Sequence, residues 1–190
     1  MVIVDAFDLA KSFGVRQVFS GVNLRVSKGE RLVVLGGNGS GKSTLLFVLA
    51  GVLTADSGVV DVRGTLGLAP EKPDLPDHLV VAEWLDVVAS LKGMRRRSEV
   101  AFRADTLAGV KLAALSLGQR QRVSLAAAWL GAPSVMVLDE PTNAIDIETR
   151  EELVARLRGE TAIIATHDES FAATVATRRV VMKGGRLFDA

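Results

Sequence analysis

Gly36-Gly37-Asn38-Gly39-Ser40-Gly41-Lys42-Ser43, with Thr44 following, sets glycines, a lysine and hydroxyls in the spacing G-x-x-x-x-G-K-[ST]. Glycine admits backbone conformations closed to other residues, so successive N–H groups in such a loop can converge on phosphate oxygens. Lys42 can reach the outer phosphates as a point charge, and the Ser43 hydroxyl can ligate Mg²⁺. The apolar run Arg31 to Leu35 precedes the loop, and a helical pattern from Gly41 to Ala50 follows it. A helix placed there directs its positive end at the same anion.

Two acids follow a second apolar run, Val135 to Leu138. Neighbouring residues at a strand end point to different sides, so Asp139 can serve Mg²⁺ through water while Glu140 faces a terminal phosphate and orients or deprotonates water. Away from a phosphate loop the same pair reads as solvated charge before Pro141. His167 follows a third apolar run, Ala162 to Ala165. It can sit at the same sheet edge, or occupy the first turn of a helix whose capping box is Thr166 and Glu169, and the two readings are compatible. His78, in a proline-flanked loop, reads as solvated.

The elements that must carry these residues follow from periodicity. Val2 to Phe7, Gln17 to Phe19 and Val22 to Val26 suggest a small antiparallel sheet, and Val59 to Arg63 and Leu66 to Ala69 are strand-like. Pro70, Pro73 and Pro76 interrupt the chain before helical patterns at Val80 to Leu91, roughly Glu99 to Leu107, and from Ser116 onward. After Gly131 and Pro133 the alternation resumes: strand, a helix from about Ile147 to Arg158, strand, short helix and two closing strands. This order predicts an α/β protein with a mainly parallel sheet and flanking helices, a small N-terminal antiparallel β subdomain and an inserted helical subdomain. One domain is expected over 1–190, its nucleotide-binding core at about 1–71 and 131–190 and its helical part at about 72–130.

The chain's 190 residues suit one domain of ordinary core size, and 48 % hydrophobic with 24 % charged residues excludes disordered and fibrous classes. A net charge of +1 gives no support to a nucleic-acid binder. The absence of cysteine excludes disulfides, thiol catalysis and thiolate metal sites, and two histidines are too few for a histidine cluster. The first residues do not read as a secretory signal and no apolar run is long enough to span a bilayer, so a cytoplasmic location is expected, at a membrane only through a partner. Arg95-Arg96-Arg97 reads as a solvated helix face, with anionic lipid headgroups or a partner loop as the minority reading, while Trp84 and Trp129 read as core.

Leu115-Ser116-Leu117-Gly118-Gln119 closely resembles the L-S-G-G-Q signature of ATP-binding-cassette (ABC) ATPases, and the resemblance runs from Phe13 to His167 in the family's order. Ser116 and Gln119 also form an S-x-x-Q capping box, which an ordinary helix start would use. The resemblance implies a P-loop NTPase core, with Phe13 stacking on adenine where tyrosine is usual. A core position in the small sheet is the alternative for Phe13. It places Glu71, where glutamine is common, near Mg²⁺ and the permease, although a solvated loop acid fits as well. Asn143-Ala144-Ile145-Asp146 resembles the loop that passes between two subunits, and Asp146 also suits a plain helix N-cap. Leu117 replaces the family's glycine, and Gly37 a common proline.

The implied function is hydrolysis of ATP with Mg²⁺ by a dimer, homo- or heteromeric, peripheral on the inner face of the cell membrane and driving a separate transmembrane permease. Each signature, Ser116 to Gln119, would close over nucleotide held by the other subunit. A soluble ABC-type ATPase, for example in cofactor assembly, and a nucleotide-sensing module without turnover are the alternatives.

Overall fold

The computed structural model describes residues 1–94 and 100–190. The Arg95-Arg96-Arg97 run, and Glu99 as the start of a helix, lie outside the described residues. Among the described residues nine strands form two sheets: β1 (Val2–Phe13), β2 (Arg16–Ser27) and β4 (Ser57–Val62) make a three-stranded antiparallel one in the order β2-β1-β4. The second holds β3 (Arg31–Leu35), β5 (Leu66–Ala69), β6 (Val135–Asp139), β7 (Ala162–Thr166), β8 (Arg178–Lys183) and β9 (Arg186–Asp189), in the order β5-β6-β7-β3-β8-β9. All its pairings are parallel except β8 with β9. The helices are α1 (Lys42–Leu49), α2 (Val81–Leu91), α3 (Leu117–Trp129), α4 (Ile147–Leu157) and α5 (Glu169–Val175).

The central strands are apolar without interruption because both faces of the sheet are covered. Val33, Met136, Leu138, Ala162 and Ile164 pack with α2, α3, α4 and α5, while Leu32, Val34, Val135, Val137, Ile163 and Ala165 pack with α1 and the antiparallel sheet. The period of two therefore divides each strand between two cores. Trp84 and Trp129 are half-buried at the margin of the first core rather than inside it, and His78 is exposed as expected.

The expected helix ending at Leu107 is instead a 3₁₀ stretch, Ala101–Leu107, interrupted by left-handed backbone at Phe102 (φ 57°) and Arg103 (φ 48°). Two consecutive non-glycine residues in that region are strained, so neighbours must hold them. The Phe102 amide donates to Glu152 Oε1 at 2.7 Å, its ring packs edge-on to Trp129 at 5.2 Å, and the Arg156 guanidinium lies 5.4 Å from the ring centre. Arg103 pairs with Glu148, and Arg122 of α3 donates to the Arg103 carbonyl at 2.9 Å. Tertiary clamping by α3 and α4 has overridden local helix propensity here. Glu152→Ala should lower the unfolding free energy by roughly 1 to 3 kcal/mol, because it strands the Phe102 amide and the Arg156 charge. Urea denaturation checks this, and an unchanged midpoint would show that the turn holds itself.

Candidate functional site

β7 lies between β3 and β6, and β5 lies beyond β6, so the carboxyl ends of four adjacent parallel strands open onto one edge. The loop from Gly36, Glu71, Asp139 with Glu140, and Thr166 with His167 all leave the sheet there. Open α/β sheets bind ligands at such an edge. A cavity of about 580 Å³ occupies it, lined by Asn38 to Thr44, Glu71, Glu140, Asn143 and His167, with Phe13, Arg16 and Val18 from the antiparallel sheet.

The loop takes its shape from backbone that side chains would obstruct. At Gly36 (φ 151°) a Cβ would meet the Met182 carbonyl oxygen at 2.7 Å, and at Gly41 (φ 105°) it would meet Val18 Cγ1 at 2.8 Å. Gly41 is the N-cap of α1 and supplies no side-chain oxygen, and no acid occupies the helix's first turn. The first N–H groups of α1 have no intrahelical acceptor, and their residues Lys42, Ser43 and Thr44 line the cavity. Lys42 is 6 % exposed, and its Nζ donates to the Gly36 and Gly37 carbonyls at 2.7 and 3.2 Å.

Glu140 is 5 % exposed and sits at φ 44°, a left-handed conformation that turns its side chain off the strand direction into the cavity. Its Oε1 lies 3.9 Å from Lys42 Nζ and 2.9 Å from His167 Nδ1, while Oε2 accepts from the Thr166 hydroxyl at 2.9 Å and the His167 amide at 3.3 Å. Donation from His167 Nδ1 to the Glu140 carboxylate favours the charged imidazole and raises the His167 pKa above its ordinary value. Burial pushes the Asp139 carboxyl up, and an interaction with the Ser43 hydroxyl pulls it partly back. Asp139 Oδ1 and Ser40 Oγ are buried without any hydrogen-bond partner. A buried carboxylate oxygen beside a hydroxyl, left unpaired, suits a hydrated divalent cation held jointly with phosphate oxygens. No three acidic or imidazole side chains converge on a self-sufficient metal cage among the described residues.

Phe13 is 53 % exposed at the cavity mouth, with Lys11 Nζ 5.5 Å from its ring centre, so the core position is ruled out. The capping box of Thr166 and Glu169 is also overturned: Asp168 is the N-cap of α5 and accepts the Phe171 amide at 2.8 Å. Thr166 remains in β7, paired with Leu35, so its hydroxyl turns to Glu140 instead. By contrast the Ser116–Gln119 capping box of α3 forms as expected, and Asp146 caps α4 through the Thr149 amide at 2.8 Å. Ser116, Leu117, Gly118, Gln119 and Asp146 stand outside the cavity of their own chain. A Cβ on Gly118 would lie 2.2 Å from the Ala144 carbonyl oxygen, so the start of α3 and the loop 143–146 touch, and Leu117 beside them is 60 % exposed. Arg16 and Val18 lining the cavity carry no motif, and only the pairing of Arg16 with Phe13 at the hairpin tip brings them there.

A glycine loop, a buried lysine and two acids at the carboxyl edge of a parallel sheet define a nucleotide-phosphate site of the P-loop class. The family model for ABC transporters matches residues 19–143, and the chain belongs to that family. It is 37 % identical over 94 % of its length to the lactose transport ATP-binding protein LacK of Rhizobium radiobacter, of which it covers 56 %. It is 31 % identical over 98 % of its length to the Nod factor export ATP-binding protein I of Rhizobium etli, covering 67 % of that protein. The chain thus spans between about half and two thirds of these curated relatives. The solved ATP binding subunit of an ABC transporter superposes with a TM-score of 0.89 at 23 % identity, covering 98 % of this chain and 90 % of that one, which establishes the shared fold.

Proposed function

We propose that this chain binds and hydrolyses MgATP as the nucleotide-binding subunit of an ABC transporter, acting as a dimer on a separate permease. The observation that carries the reading is the convergence of Lys42, Glu140 and His167 on one glycine-lined cavity. The Phe13 ring offers a stacking face to the base, and the N–H groups from Asn38 to Thr44 receive the phosphates. Lys42 exchanges its two loop carbonyls for phosphate oxygens, a stronger partner for an ammonium group. Ser43 and Asp139 would hold Mg²⁺, with Glu71 alongside, and the ion supplies charge neutralisation on the outer phosphates when bound. Glu140 takes a proton from the attacking water as its oxygen joins the γ-phosphorus and the bond to the ADP oxygen breaks. His167 restrains Glu140 from the solvent side.

The contact between Gly118 and Ala144 supports treating the signature and the loop 143–146 as one surface presented to a second subunit, homo- or heteromeric. Ser116 to Gln119 then completes the partner's site, and the region around Glu71 meets the permease. No helix among the described residues is long and apolar enough to cross a membrane, so attachment to the inner face of the cell membrane rests on that permease.

Purified chain should release phosphate from MgATP, stop when the metal is chelated, and show a specific rate that rises with protein concentration, since each site needs a second copy. Absence of release, or a specific rate independent of concentration, would sink the reading. Recovery of the protein entirely in the soluble fraction of its cells would favour the ATPase that is not coupled to transport.

A further inference from the structure

We propose that Thr166 is the positioning residue for Glu140, holding Oε2 fixed so that Oε1 alone is presented to the reacting water. The inference rests on the function proposed above and assigns Thr166 a role that a helix cap would not have.

Thr166 is completely buried at the end of β7, and its hydroxyl stands between two groups. Asp168 donates its amide to Thr166 Oγ1 at 3.0 Å, and Oγ1 lies 2.9 Å from Glu140 Oε2. A hydroxyl carries one proton, and an amide can only donate, so the Thr166 proton is committed to Glu140. The His167 amide reaches the same oxygen at 3.3 Å. Oε2 is therefore held by two donors from the adjacent strand end, while Oε1 faces His167 Nδ1 at 2.9 Å and Lys42 Nζ at 3.9 Å. The Glu140 amide, which donates to the Ala165 carbonyl at 2.8 Å, ties the backbone to the same strand. The carboxylate plane thus follows β7 rather than its own flexible stem. Displacing a general base by a fraction of its hydrogen-bond length is costly, because proton transfer depends on reach and alignment.

In the full-length chain, Thr166→Val keeps the shape and removes the hydroxyl. It should lower kcat for ATP hydrolysis roughly 10- to 100-fold, the range of a hydrogen bond to a charged group, while KM stays within about twofold. Thr166→Ser should restore kcat, and Thr166→Ala serves as a second hydroxyl-free variant, expected to match Thr166→Val. Loss of the Asp168 anchor on its own would also follow from these changes, so the deciding readout is the cycle with Glu140→Gln. In that background Thr166→Val should add no further loss. Unchanged kcat in both hydroxyl-free variants, failure of Thr166→Ser to recover, or losses that multiply with Glu140→Gln would each overturn the assignment. If Glu140→Gln itself leaves turnover intact, the role given to Glu140 fails and takes this inference with it. If Glu140→Gln is inactive and Thr166→Val is normal, only the positioning role fails.

Discussion

Glu140→Gln should slow ATP hydrolysis roughly 10²- to 10⁴-fold while MgATP still binds with at least its original affinity. The surroundings of the side chain decide how the amide must lie. The Thr166 hydroxyl and the His167 amide both donate toward the Oε2 position, so the glutamine oxygen must take that place. Its NH₂ then occupies the Oε1 position, where a donor cannot accept a proton from water and faces the Lys42 ammonium. The change removes the base without opening a void, and it removes a negative charge close to where a terminal phosphate would rest. Binding therefore strengthens as turnover falls, and the dimer closed on ATP should accumulate. Steady-state phosphate release with equilibrium nucleotide binding on the same preparation checks both halves. Turnover within a fewfold of the unchanged protein would eliminate Glu140 as the base.

Much of this site was legible because its parts announce themselves locally. Leu32 to Leu35 is apolar through both faces, Gly36 and Gly41 stand where a Cβ would be obstructed, and Asp139 with Glu140 closes a buried run. Those signals depend on neighbours in sequence. What escaped depends on neighbours in space. The Thr166–Glu169 capping box fits the local sequence, and only the pairing of Thr166 with Leu35 across the sheet shows that the helix starts later, with Asp168 as its cap. The strained pair Phe102 and Arg103 carries neither glycine nor asparagine, and the partners that hold it, Glu148, Glu152 and Arg156, lie about 45 to 54 residues further on. Arg16 enters the cavity wall through hairpin geometry alone.

These two classes of residue divide the labour. Motif residues present chemistry to a phosphate, and their identity is dictated by that chemistry. Residues such as Thr166 and Gly118 set where the chemistry points, the first toward Glu140 and the second by letting α3 approach Ala144. The left-handed backbone at Glu140 and Ala144 lies at either end of one short segment, so strain is concentrated where strand β6 hands over to the loop 143–146.

Lys42→Ala should act on binding rather than on the chemical step alone, raising the dissociation constant for MgATP roughly 10- to 150-fold, the range expected on losing a hydrogen bond from a charged donor. Without nucleotide, the ammonium satisfies itself on the Gly36 and Gly37 carbonyls, and it lies 3.9 Å from Glu140. A phosphate must outcompete those carbonyls, and its full negative charge does so in a site where Lys42 is only 6 % exposed and poorly screened. Alanine removes that exchange and also leaves the Glu140 carboxylate facing the phosphates without an intervening cation, so repulsion adds to the loss. Lys42→Arg should rescue poorly, since a planar fork cannot occupy the narrow place between two loop carbonyls. The contrast with Glu140→Gln is the useful measurement: one variant binds and does not turn over, the other fails to bind. Equal nucleotide affinity in Lys42→Ala and the unchanged chain, measured by calorimetry with Mg²⁺ present, would contradict the contact and leave the cavity without its principal anion-binding charge.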